Sequence, residues 1–150
     1  MKERIDYAAV SPTGLIAMRA LDVHLKRASL GSTLLELVKV RASQLNGCAY
    51  CINMHTSDAR ALGESEHRLY TLAAWRETPF FTLEEKAILA LTEEVTLISN
   101  GVTDETYKQA IEILGEQTTA QVILAAVIIN AWNRIGVSTR MVPQPAKEVA

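Results

Sequence analysis

The sequence predicts an all-α protein, a compact bundle of about seven helices, and three observations carry that expectation. Helix start and stop signals recur along nearly the whole chain. No segment sustains the apolar–polar alternation of a half-buried strand. Of 150 residues, 49% are apolar and 21% charged, enough to build one sizeable core under a soluble surface.

The elements follow in order. Ser11-Pro12 opens a first helix, with proline where its missing N–H is not needed. Leu15, Met18, Leu21, Val23 and Leu25 supply its apolar residues. Thr33-Leu34-Leu35-Glu36 is a capping-box pattern opening a second helix towards Gln44 or Leu45, and Asn46-Gly47 breaks it. Cys48 starts a third, which ends near Gly63. Ser65 begins a fourth through Leu69, Leu72 and Trp75, stopped by Glu77-Thr78-Pro79. Thr82-Leu83-Glu84-Glu85 is a second capping box, opening a fifth helix that closes at Asn100-Gly101. Thr103-Asp104 starts a sixth, closed by Gly115. Thr118-Thr119 starts the last, which continues to about Thr139, and the tail with Pro143 and Pro145 is expected to fray. With no linker or repeat, one domain over residues 1–150 is the simplest organisation.

Charge and hydropathy narrow the function classes. Net charge is -2 with no basic stretch, so no nucleic-acid partner is expected. The N-terminus, Met1 to Asp6, is charged and has no signal-like apolar region. The longest apolar run, Val122 to Ile129, is far short of the ~20 residues of a membrane span. A cytoplasmic protein with no membrane partner is therefore expected. That run is apolar on every face, so it must be covered all round. Part of the cover is expected from another subunit, which makes the protein a homo-oligomer.

The chemistry concentrates at Cys48-Ala49-Tyr50-Cys51, with His55 four residues further on. These are the only two cysteines. At 3.6 residues per turn, Cys48 and Cys51 are i,i+3 and Cys51 and His55 are i,i+4, so all three share one helical face. Cys48 falls at the helix N-terminus, where free N–H groups and the helix dipole favour a thiolate. Cys51 has His55 as a neighbouring base, the other common route to an active thiol. Three other readings remain open at this point. The pair can form a static disulfide, although paired cytosolic thiols are more often catalytic or metal-binding. Cys48, Cys51 and His55 can hold zinc with His24 or His67 as fourth ligand, in an interaction module, but no second close-spaced ligand pair supports that. The two thiols can also pack simply as small hydrophobes.

Glu36 lies twelve residues before Cys48 on the preceding helix. The Asn46-Gly47 turn can fold that helix back so that the carboxylate faces the thiols as a general base. Equally, Glu36 is the last residue of the first capping box and can simply close it. Asp58 can orient the His55 ring, or be an exposed helix aspartate. Tyr50 can line a pocket wall or pack. Asn130, Trp132, Asn133 and Arg134 form a polar and aromatic patch after the apolar run, either a site wall, a subunit contact or a helix end.

The stretch from Glu36 to His55, with its E-x11-C-x-x-C-x3-H spacing, resembles the core of alkylhydroperoxidase D-like (AhpD-like) proteins of the carboxymuconolactone decarboxylase superfamily. Ala74-Trp75-Arg76-Glu77 and Ile129 to Arg134 resemble short members too, and the likeness covers about residues 30–140. The resemblance implies an all-helical fold assembled as trimers or hexamers. It implies a thiol-dependent peroxidase that reduces small hydroperoxides, without cofactor or bound metal, and is recycled by a dithiol donor such as a lipoylated protein. By position, Cys51 would attack, Cys48 would resolve, and Glu36 and His55 would relay the proton. The rival within redox chemistry is a thiol-disulfide oxidoreductase or redox sensor with a protein partner. Some members carry a histidine between the cysteines. Here that position is Tyr50, and a phenol cannot serve as a base near neutral pH. The decarboxylase branch normally lacks the cysteine pair, so decarboxylation is not expected.

Overall fold

A computed structural model describes residues 2–27 and 29–143, so Pro145 lies outside the described residues. Its elements are α1 (Tyr7–Val10), α2 (Pro12–Lys26), α3 (Ser32–Asn46), α4 (Ala49–Ala61), α5 (Glu66–Thr71), α6 (Leu83–Thr96) and α7 (Asp104–Thr139). Short 3₁₀ turns, Leu72–Glu77 and Ile98–Asn100, follow α5 and α6. There is no strand among the described residues, as the missing alternation predicts.

α3 is the centre of the bundle. Every residue from Leu35 to Val40 is buried, including the charged Glu36 and Lys39, because α4, α6 and α7 all pack against it. On one side Val38 joins Ile88, Leu91, Val122 and Ala125. On the other Leu37 and Val40 meet Ala59, Leu72, Trp75 and Leu89. Two layers of apolar side chains thus share one helix, and its buried charged residues, Glu36 and Lys39, need partners to offset their burial.

The two capping boxes behave differently. Thr82 caps α6 as its sequence predicts: its hydroxyl accepts from the Glu85 N–H at 3.2 Å, and Glu85 accepts from the Thr82 N–H at 2.8 Å. The first box does not form. Gly31, at φ 80°, is the N-cap of α3, which puts Thr33 inside the first turn. Glu36 is released from capping and turns into the protein. Other departures are local. α1 is an additional short helix capped by Asp6, too brief and exposed to leave a periodic signal. The predicted fifth helix ends at Thr96, and Ile98–Asn100 continues it only as a 3₁₀ turn.

The predicted sixth and seventh helices join as α7, bent at Gly115, whose φ of 76° and ψ of 165° are open essentially to glycine alone. α7 is also the one described helix long and apolar enough to cross a membrane, and half of its most apolar stretch is buried within the protein. It is therefore laid out as a core helix. Its cover is incomplete, since Val127 remains 52% exposed.

Glu93 of α6 ties three elements together. Its carboxylate accepts from Arg41 Nε of α3 at 2.7 Å and from Trp75 Nε1 at 2.8 Å, and pairs with Arg76. The Arg76 guanidinium lies 4.1 Å from the Trp75 ring centroid. Burial is the largest influence on this carboxyl and pushes its pKa up, but bonds from Arg76, Trp75 and Arg41 together hold it below the ordinary value. A folded-state pKa below the unfolded one adds stability above the ordinary carboxylate range, and that stability is lost as pH falls through the folded value. Denaturant titrations of the wild type should show the unfolding free energy falling below about pH 4.5. Glu93→Gln should be less stable at pH 7 and lose less on acidification. An unchanged pH dependence in the variant would remove Glu93 from the account.

Candidate active site

The site is built where α3 turns back into α4. Gly47, left-handed at φ 65°, ends α3, and the Cys48 N–H returns to the Ser43 carbonyl at 3.0 Å. The reversal lays α4 along α3. Cys48 becomes the N-cap of α4 in extended conformation, and Cys51 is the third residue of the helix, still within its first turn. The two are bonded as a disulfide, with Cα atoms 5.4 Å apart. Both are buried, at 2% and 3% exposure.

One turn later His55, also buried, points at α3. Its Nδ1 lies 2.7 Å from Glu36 Oε2, a contact between residues nineteen apart in the chain. The other carboxylate oxygen, Oε1, accepts from Lys39 Nζ at 2.9 Å. Burial acts most strongly on Glu36 and pushes its pKa up. The His55 hydrogen bond and charge and the Lys39 ammonium together outweigh it, so the carboxyl lies below its ordinary value. Glu36 is thus held as a carboxylate out of water. With Nδ1 facing that carboxylate, a neutral imidazole carries its proton on Nδ1 and its lone pair on Nε2.

A cavity of about 430 Å³ opens onto this group, and Cys51, Glu36, Lys39 and His55 line it. Tyr50 lines it as well, while also packing on the cluster of Cys48, Cys51 and Ile129. Cys48 does not line the cavity. A Cβ added to Gly136 of α7 would lie 3.0 Å from Cys48 Sγ and 3.7 Å from Cys51 Sγ, so the glycine lets α7 close over the disulfide.

The structure therefore brings Glu36, Cys48, Cys51 and His55 together. Asp58 stands 3.9 Å from His55 Nδ1 with a side chain 58% exposed, a distant neighbour of the ring. Glu36, His55 and Asp58 are the one set of described residues grouped closely enough to share a metal ion, and it includes neither cysteine. His24 is exposed on α2, and His67 stands edge-on to Phe80 with centroids 4.7 Å apart, so neither joins that set.

The patch after the apolar run divides. Trp132 lines the cavity and donates to Asp22 Oδ2 at 2.8 Å. Asn130 and Asn133 instead both accept from Asn46 Nδ2 at 2.9 Å, and Asn133 donates to Ser43 Oγ at 3.0 Å. They fix α7 to the turn that carries Cys48. Arg134 donates to Asn130. Sequence reasoning missed two features, the Lys39 ammonium on Glu36 and the Gly136 contact. The first had a signal in the i,i+3 spacing. The second had one in a lone glycine inside an apolar helix.

The chain is similar to known proteins along nearly its whole length. The pattern of the carboxymuconolactone decarboxylase family matches residues 12–94. The uncharacterized protein YdfG of Bacillus subtilis (strain 168) is 45% identical over 139 residues, spanning 92% of this chain and 95% of that one. A protein of unknown function from Agrobacterium tumefaciens, named as a candidate antioxidant defence protein AhpD, superposes with a TM-score of 0.94 at 34% identity, over 97% of this chain and all of that one. An uncharacterized peroxidase-related protein from Ralstonia eutropha JMP134 with an alkylhydroperoxidase AhpD core gives a TM-score of 0.81 at 20% identity, over 92% of this chain and 74% of that one, a likeness of fold alone. On these grounds the chain belongs to the carboxymuconolactone decarboxylase family and has the all-helical AhpD-like fold.

Proposed function

We propose that the protein is a thiol-dependent peroxidase in which Cys51 attacks, Cys48 resolves, and Glu36 and His55 move the proton. The observation that carries this reading is the convergence of Cys51, His55 and a charged Glu36 on one cavity, with Cys48 bonded to Cys51 and turned towards α7. In the reduced protein, His55 Nε2 takes the Cys51 proton. Glu36 on Nδ1 stabilises the imidazolium that results. The thiolate attacks the terminal oxygen of ROOH. The O–O bond breaks, Cys51 becomes a sulfenic acid, and ROH leaves with the relayed proton. The Cys48 thiol then condenses with the sulfenic acid, releasing water and forming the disulfide. An external dithiol, such as a lipoylated protein, reduces that bond through a mixed disulfide and leaves oxidised.

The bonded pair corresponds to the end of the oxidative half of this cycle. The helix dipole by itself favours a thiolate at the N-cap Cys48, so the assignment of attack to Cys51 rests on its place beside His55 and Glu36 in the cavity. The reading includes a cytoplasmic homo-oligomer, a trimer or hexamer. A surface hollow of about 520 Å³ between α6 and α7, lined by Val95, Ile98, Ile123 and Val127, supplies an apolar face for a second copy.

The direct test is peroxide reduction by purified protein with a dithiol donor. Cys51→Ser and Cys48→Ser should each abolish turnover. After one dose of peroxide, Cys48→Ser should hold a sulfenic acid that a dimedone-type reagent traps, and Cys51→Ser should trap none. Trapping in Cys51→Ser alone would reverse the roles, and full turnover in both would end the proposal. Glu36→Gln keeps the shape but removes the charge that supports the imidazolium. It should slow the peroxide step by about 100-fold or more, the usual size of a general-base contribution. A rate within about twofold of wild type would leave Glu36 without a catalytic part.

A further inference from the structure

The cavity at Cys51 has one wall made by α2, from a single helical face that includes Leu15, Arg19, Asp22, Val23 and Lys26. Leu15 and Val23 are apolar, and the facing surface adds Met54, Trp132 and Met141. Such a mixture suits a ligand with an apolar body. The charged groups are unevenly engaged. Glu36 is held by Lys39 and His55, Asp22 accepts from the Trp132 indole, and Asp58 stands beside His55. Every acid lining the cavity thus has a donor or a ring nearby. The side chains of Arg19 and Lys26, two turns apart, make no hydrogen bond or ion pair among the described residues, and both are exposed at the cavity edge. Asp22 sits one turn from each, but its carboxylate is committed to Trp132.

We propose that this cavity binds an amphiphilic carboxylate of medium chain length. Its carboxylate would bridge Arg19 and Lys26, and its chain would run past Leu15, Val23 and Trp132 towards Cys51. A guanidinium presents two parallel donors that match a carboxylate, and an ammonium adds a third charge-assisted contact. A cavity of about 430 Å³ holds a chain of this kind. For catalysis the inference rests on the peroxidase reading, and it narrows the substrate to an organic hydroperoxide that also carries a carboxylate. The reaction is unchanged: the peroxide takes two electrons from the thiol pair and leaves as the hydroxy acid and water. The carboxylate takes no part in it.

Binding and turnover are measured separately. Octanoate and octanol, chains of matched length, are titrated into the oxidised protein by calorimetry, with the fluorescence of the cavity residue Trp132 as a second readout. Octanoate should bind about tenfold more tightly, the effect of one retained charge-assisted contact. The double variant Arg19→Gln, Lys26→Gln alters only exposed side chains. It should lower octanoate to the octanol level and leave octanol unchanged. Equal binding of the two ligands by the wild type, or octanoate binding unaffected by the double variant, overturns the inference. In the second arm, reduced protein is mixed with a fatty-acid hydroperoxide and its methyl ester. Faster oxidation by the acid, lost in the double variant, supports the substrate class, and equal rates overturn it. If octanoate is preferred while no hydroperoxide is reduced, the peroxidase reading fails and the binding site stands.

Discussion

Glu36 carries a carboxylate into the interface of α3 with α4, to 6% exposure, and the site is arranged around that desolvated charge. An ionised group in such a place is stable only when its oxygens are occupied. Here each oxygen has one cationic or hydrogen-bonding partner, Lys39 on Oε1 and His55 on Oε2. The consequence runs both ways. The partners keep Glu36 charged, and Glu36 fixes the His55 ring so that Nδ1 is committed and Nε2 is the available base. Losing Glu36 would strip both Lys39 and His55 of their buried partner, whereas losing either of those leaves Glu36 with one.

The scaffold supplies this trio by simple means. A left-handed glycine ends α3, α4 starts two residues later, and the two helices lie side by side with Glu36 and His55 opposed. α7 closes the far side. Gly136 gives room for the sulfurs, and the amides of Asn130 and Asn133 grip Asn46, next to the turn. The same helix sends Trp132 to the cavity, where it also packs against the cysteine cluster. One element thus packs against Cys48, the turn and the cavity.

The local geometry was readable from the sequence because it depends on local spacing. The face shared by Cys48, Cys51 and His55 follows from positions within two helical turns, and it holds. The all-helical fold follows from caps and breakers. Thr33 to Glu36 and Thr82 to Glu85 show the limit. The two tetrapeptides carry the same capping pattern, yet only the second forms the box. What separates them is tertiary. Gly31 starts α3 early, and Lys39 and His55 claim the Glu36 oxygens, whereas Glu85 can cap Thr82 and meet Arg68 at once. The Asp22–Trp132 bond joins residues 110 positions apart, and no window of sequence contains it; the lone Gly136 signals a close approach but not its partner, Cys48.

The central claim is that the Glu36–His55 hydrogen bond selects which imidazole nitrogen is free to take a proton. Nitrogen-15 NMR of the histidine rings in reduced protein, at a pH where His55 is neutral, reads this directly. The account predicts the proton on Nδ1 and a bare Nε2 at His55, and loss of that preference in Glu36→Gln. A His55 ring with its proton on Nε2 and a bare Nδ1 would contradict it, because the free nitrogen would then be the one facing the Glu36 carboxylate.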